Sequence, residues 1–378
     1  MTAPIASEPV TTGTSVLYVP ILKGREGEFG ALEALDLQER VPILPLIEVP
    51  PVPHDFETER PARRLRDHVT TLAQRLRKAW GPDRAIMLDF TYLSTDETFE
   101  DGTLAAAHVF AGCEALAVRA VPVVARRSSG AYLQAAGRYA QRLSTGVCVR
   151  LTVGDFVDES DIDAEVTRLL RAMGIPTSEP ADLLVDLRDL RDETARALLE
   201  ARMVLHSVPT PDRWRRVILA ASSFPADLSD IDAATSSVLP RREWDLWKAL
   251  LGPRGRIPRL PLVFADYGIA HPDPKELDPR TMRMSASIRY TTSDEWLVIK
   301  GRNVRQYGYD QYFDLSKAVV THAAYSGRQF SWGDSYLSDC AQGMAGPGNA
   351  TTWRKVGTNH HLVLVARQLT DLVRTMGE

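Results

Sequence analysis

Eight short apolar runs in this chain each close on a residue able to do chemistry. They are LYVPILK at Lys23, ILPLIE at Glu48, AIMLD at Asp89, PVVAR at Arg126, VCVR at Arg150, LLVD at Asp186, VILAAS at Ser222 and LPLVFAD at Asp266. Carboxylates at Glu48, Asp89, Asp186 and Asp266, if gathered, would draw a hard divalent cation such as Mg2+, which polarises a phosphoryl oxygen or activates water. Lys23, Arg126 and Arg150 give the same set a second use. They either pair with the carboxylates in a neutral network, or grip a phosphate, for which arginine offers a bidentate fork.

Four further groups stand out. Lys300 closes WLVIKG and is followed by Gly301, which allows close backbone approach. Arg289 lies in the neighbouring run, SASIRYTT. In FSWGDSY, Phe330, Trp332 and Tyr336 supply flat surfaces, and Ser331 and Asp334 supply hydrogen bonds. Such a segment suits recognition of a base or a peptide side chain, or a lid that seals its own aromatics. Asn359-His360-His361 reads as a helix start with Asn359 as its cap. Adjacent histidines point in different directions on a helix, so His360 is the candidate general acid–base or ligand and both on one metal are not expected.

The elements that must position these residues follow from the rhythm of the runs. Amphipathic helical stretches separate them, and strands alternating with helices predict a parallel sheet. Eight units predict an α/β chain with a TIM-barrel-like (β/α)8 architecture, whose strand C-termini build the site. After Asp266 the pattern changes. SASIRYTT and EWLVIKG form a β-hairpin, QYFDLSKAVVTHAAY a helix, FSWGDSYL through TNHH a long loop, and HLVLVARQLTDLVRT a closing amphipathic helix. The organisation expected is a disordered leader over 1–15, a barrel over 16–270 and an extension over 271–378 packed on it.

Bulk properties narrow the function. Over 378 residues the net charge is −4, so no overall basic field points to nucleic acid or to anionic lipid. The basic stretch RPARRLRDH reads as the solvated face of a helix spanning roughly residues 61 to 80. No run is long enough to span a bilayer and no secretory signal opens the chain, which together point to the cytoplasm. Cys113, Cys148 and Cys340 are widely spaced with no CxxC pair, so free buried thiols are expected rather than a thiolate zinc site. GxxxxGK[ST], the dinucleotide glycine fingerprint, GxSxG and HExxH are all missing, which disfavours four common enzyme classes.

YVPILKGREGEFGAL, PLIEV, ASIRY with WLVIKG, FSWGDSYL and WRKVGTNHHLVLVARQL together resemble the phage-type "beta protein" family, over Tyr18 to Leu369. The resemblance implies a role in phage–host conflict and supplies no catalytic residues. Three functions are therefore expected in order. The first is a component of an antiphage system whose charged barrel mouth recognises a phosphorylated or nucleotide-like ligand through Lys23, Arg126, Arg150, Asp186, Arg289, Lys300, Trp332 and Asp334. The second is a metal-assisted phosphodiester hydrolase using Glu48, Asp89, Asp266 and His360. The third is a non-catalytic scaffold with a protein partner in a defence complex.

Overall fold

The computed structural model describes residues 16–158, 161–176, 179–190, 194–251, 260–273 and 284–377. The expected leader, 1–15, lies outside them. Thirteen strands are present among the described residues: β1 (Tyr18–Leu22), β2 (Leu46–Glu48), β3 (His54–Asp55), β4 (Arg60–Pro61), β5 (Ala85–Asp89), β6 (Arg119–Ala125), β7 (Cys148–Thr152), β8 (Ala181–Asp189), β9 (Trp214–Ser222), β10 (Thr235–Pro240), β11 (Leu262–Asp266), β12 (Ser285–Thr291) and β13 (Glu295–Asn303). Eight of them close a parallel barrel in the order β1-β11-β9-β8-β7-β6-β5-β2. These are the eight apolar runs of the sequence, and the barrel is the α/β, TIM-barrel-like architecture that their rhythm predicts.

Strand side chains alternate between two faces, so the barrel has two cores. Val19, Ile21, Leu46, Met87, Val123, Leu184, Ile218 and Ala265 fill the lumen. Tyr18, Leu22, Ile47, Leu88, Val149, Val185 and Phe264 face outward and pack under the surrounding helices. Both faces are buried, which explains runs with little polar alternation.

The extension is built around the hairpin expected from SASIRYTT and EWLVIKG, here β12 and β13. Its third strand, β10, arrives from the segment following β9 and pairs antiparallel with β13, Ser237 opposite Val298. The last helix, Ala350–Gly377, runs alongside the first, Glu26–Glu33. A β-carbon on Gly27 would lie 2.7 Å from the Thr351 carbonyl oxygen, and Asn359 Nδ2 donates to the Ala31 carbonyl (3.2 Å). Leu362, Val363, Val365 and Leu369 of this helix join the outer core of the barrel. It therefore takes the position of the eighth barrel helix, with the β12–β13 hairpin and the helices that follow it inserted between β11 and it, and β10 joining that sheet from before β11.

Three expectations need correction. FSWGDSYL is not loop: Trp332–Ala341 is a helix, and the Ser331 side chain caps it by accepting from the Asp334 N–H (3.1 Å). Asn359 is no cap, because the last helix begins nine residues earlier at Ala350. The glycines and serines that suggested loop instead mark helix contacts. A β-carbon on Gly333 would lie 2.4 Å from the Val356 carbonyl oxygen, so only glycine fits there. Finally, the stretch expected as one helix to Trp80 is strand β4, a loop and two helices, Leu65–Thr70 and Leu72–Trp80. Pro61 pushes the preceding Arg60 to extended backbone, which suits strand β4, and the helix starts only at Leu65.

The three cysteines are free and buried, as their spacing suggested. No helix among the described residues is long and apolar enough to cross a membrane.

Candidate functional site

The alternation that builds two cores also decides which strand ends meet. Lumen-facing positions continue upward from Ile21 to Lys23, from Leu46 to Glu48, from Met87 to Asp89, from Cys148 to Arg150 and from Leu184 to Asp186. These five side chains converge at the C-terminal mouth, where Arg150 is the hub. Its Nη1 donates to Glu48 Oε1 (2.8 Å) and to Asp89 Oδ2 (2.5 Å). Its Nη2 donates to Asp186 Oδ2 (2.6 Å) and to the Tyr267 hydroxyl (2.7 Å). Lys23 Nζ donates to Glu48 Oε2 and to the Pro272 carbonyl. Tyr92 donates to the same carbonyl (3.0 Å) and accepts from Arg188, which also pairs with Asp273.

This mouth is closed. Arg150 and Lys23 are each 5 % exposed, and the segment after β11 is pinned over them at Pro272. Burial pushes the Asp186 carboxyl up, but the Arg150 charge and the Tyr267 and Arg150 hydrogen bonds outweigh it and leave the group below the ordinary range. Burial also lowers Lys23, against the pull of Glu48, and lifts Tyr92 to about 12.

The mouth does not fit Mg2+. The guanidinium of Arg150 stands where the carboxylates converge, and a cation there would have to displace it. Both oxygens of Asp186 are already taken, Oδ1 by the Arg188 N–H (2.9 Å) and Oδ2 by Arg150 and Tyr267. Among the described residues no group of three or more His, Cys, Asp and Glu is placed to hold a metal ion. The arrangement is a largely buried ion-pair network in which Lys23, Arg150 and Arg188 face Glu48, Asp89, Asp186 and Asp273.

Two strand-end residues fall outside it by one position. Tyr267, not Asp266, faces the lumen at the end of β11. Asp266 faces outward, accepting from Tyr18 Oη (2.6 Å), the Gly268 N–H (3.0 Å) and His361 Nε2 (2.9 Å). Arg126 follows the end of β6 and is likewise off the lumen parity of Val123 and Ala125. Its carbonyl accepts from Arg168 (3.3 Å).

The remaining candidates belong to the joint between barrel and extension. His360 places Nδ1 2.8 Å from Asp334 Oδ2 and Nε2 2.7 Å from the Thr291 carbonyl, so both ring nitrogens face acceptors. Asp334 also accepts from Tyr290 (2.8 Å) and Ser331 (2.6 Å). The two histidines thus serve different carboxylates, as their adjacency implied, and it is His361 rather than His360 that reaches the strand-end Asp266. Lys300 is held by the carbonyls of Leu228 (2.7 Å) and Ile231 (2.5 Å). Trp332 stacks on Tyr336 and carries Lys355 Nζ 3.7 Å over its ring.

The open part of this face carries none of the strand-end residues. A cleft of about 750 Å³ lies beside the mouth, between the loops that follow β2 and β5. Arg60, Arg63 and Arg64 line it opposite Leu65, Leu93 and Tyr92. The three arginines are exposed, and none makes an ion pair or a side-chain hydrogen bond among the described residues. The signal was the string RPARR: a proline between arginines breaks the helical face on which they were placed.

Barrel, closed mouth and inserted sheet define the class, a TIM-barrel-like protein whose eighth helix arrives after an inserted subdomain. Within that class the chain belongs to the Beta protein family, whose model matches residues 18–367. No curated protein matches it.

Proposed function

We propose that this protein acts by binding a phosphorylated, nucleotide-like ligand, in the setting of phage–host conflict, and that the ligand enters the cleft beside the mouth. The observation that carries this reading is the set Arg60, Arg63 and Arg64, exposed and without an ion pair among the described residues, in a cleft of about 750 Å³. That size suits a small ligand, for which about 300–1,000 Å³ is usual. Arginine forks match phosphate oxygens. Pro51, Val52 and the Tyr92 ring offer an apolar and aromatic wall for a base, while Glu97 and Ser94 can meet hydroxyl groups.

The mouth contributes at one remove. Tyr92 lines the cleft and bonds to Arg188 and Pro272, so a ligand against Tyr92 bears on the strap that closes the barrel. The closed network of Arg150 supports binding rather than turnover, because its polar groups are already partnered.

The test is calorimetry and thermal shift with nucleotides and cyclic nucleotides on the intact protein. An Arg63→Gln/Arg64→Gln double variant is expected to lose the binding, since each charge-assisted contact is worth about 1.5–3 kcal/mol. Binding that survives the double variant, or no binding at all, sinks the reading. The wider role is tested by plating phage on cells that carry the gene: protection is expected, and expected to vanish with the same variant.

A further inference from the structure

We propose that Arg25, Arg289 and Arg354 form a second anion site, built for a phosphate dianion, where the barrel loop after β1 meets the inserted sheet and the last helix. It is separate from the cleft described above and does not depend on that reading.

Three elements bring these arginines together. Arg25 follows Lys23 and Gly24 in the loop leaving β1. Arg354 lies in the opening turns of the last helix, and a β-carbon on Gly27 would sit 2.9 Å from Arg354 Cβ. Arg289 lies on β12. One turn after Arg354 the same helix crosses that strand at Gly357, where a β-carbon would lie 2.8 Å from the Arg289 carbonyl oxygen and 2.8 Å from Ile269 Cδ1. The last helix is therefore clamped between the first helix, whose N-cap is Arg25, and the Arg289 strand.

The guanidinium of Arg289 is positioned rather than neutralised. Its Nη1 donates to the Ile269 carbonyl (2.8 Å), and the group stacks 4.8 Å from the centre of the Phe224 ring. Neither contact carries charge. Arg25, Arg289 and Arg354 make no ion pair among the described residues, and the first is exposed while the other two are half-buried. The neighbouring carboxylate, Glu28, accepts from the backbone N–H of Arg25 (2.9 Å). Three guanidiniums against that one carboxylate leave two positive charges. Burial, then Arg354 and Arg25, push Arg289 down to about 10. Burial likewise lowers Arg354, with Glu28 opposing. A group carrying two negative charges and several acceptor oxygens would relieve both, and a phosphate matches it in charge and in geometry.

The experiment is a thermal-shift titration of the whole protein with inorganic phosphate against potassium chloride at matched ionic strength, at pH 8. Phosphate is expected to raise Tm by about 2–4 °C over the salt control. The rise should shrink at pH 5.5, where the ion loses its second charge. Arg25→Gln and Arg354→Gln should each abolish it, with circular dichroism confirming the fold. Arg25 is exposed, so its variant remains informative if Arg354→Gln unfolds. Arg63→Gln/Arg64→Gln should leave it intact. Equal shifts with phosphate and chloride would overturn the proposal. So would a phosphate shift that survives Arg25→Gln, or one lost only in the Arg63/Arg64 variant, which would assign phosphate to the cleft. Adenosine monophosphate and phosphoserine, run beside inorganic phosphate in the Arg63→Gln/Arg64→Gln background so that the cleft does not contribute, distinguish a nucleotide source from a protein one.

Discussion

Arg150 holds three buried carboxylates apart at the barrel mouth, and its removal would leave Glu48, Asp89 and Asp186 facing one another without their shared cation. Arg150→Gln should destabilise the protein by roughly 3–5 kcal/mol in urea unfolding at pH 7. Arg150 is the main cause that holds Asp186 below the ordinary carboxyl range, so the stability this pair gives is lost as pH falls and the defect should narrow in acid. Nucleotide binding in the cleft should persist wherever the variant is folded. A second residue tests the outer face of the same strands. Glu243 is buried beside Arg241 and Asp266, and burial above all pushes its carboxyl up to about 7. Its folded pKa lies above the ordinary carboxyl value, so its contribution to stability is present below about pH 4.5 and lost as pH rises through about 7. Glu243→Gln should flatten the fall of Tm between pH 5 and 8; an unchanged slope would show that Glu243 does not govern it. The strand ends themselves were legible as a set in the sequence, because each apolar run stops at a polar residue. Their facing was not. Asp266 and Tyr267 are neighbours, and which one enters the lumen depends on strand parity, fixed only when β11 pairs with β1 and β9.

Among the elements, the last helix does two tasks, closing the ring of barrel helices and docking the inserted sheet. Its glycines record the second. A methyl group at Gly357 would strike the Arg289 carbonyl and Ile269, so Gly357→Ala should cost about 1–3 kcal/mol. At Gly346 nothing lies within 4 Å, and Gly346→Ala should be near neutral by the same thermal-melt measurement. Equal effects at the two sites would show that the helix is not held at Gly357. The hairpin β12–β13 was legible from its β-branched and aromatic runs. The helix Trp332–Ala341 was not, because Gly333, Ser335 and Ser338 have poor intrinsic helix propensity and only tertiary packing overrides it. Strand β10 was missed for a related reason: its sequence, TSSVLP, gains strand character only by pairing with β13.

At the scale of the whole molecule, the surface separates into a sealed mouth and two arginine clusters with no ion pairs among the described residues, although the net charge is −4. Composition averages over such features and hides them; a cluster such as Arg25, Arg289 and Arg354 exists only once residues far apart in the chain are folded together. The same distance governs the barrel wall. Tyr18 reaches Asp266 across 248 positions, and Asn359 reaches Ala31 across 328. Strands β1 and β2 can zip early, since little chain separates them, but β1 cannot meet β11 until most of the molecule exists. Contacts of such long range form slowly. Throughout that interval β1 and β11 are open sheet edges with bare apolar flanks, the kind of surface on which partly folded chains associate. The seam sealed by Tyr18, Asp266 and His361 therefore sets the period during which a newly made chain is vulnerable to aggregation. Weakening it should lower the yield of soluble protein more than its effect on the melting temperature alone would suggest.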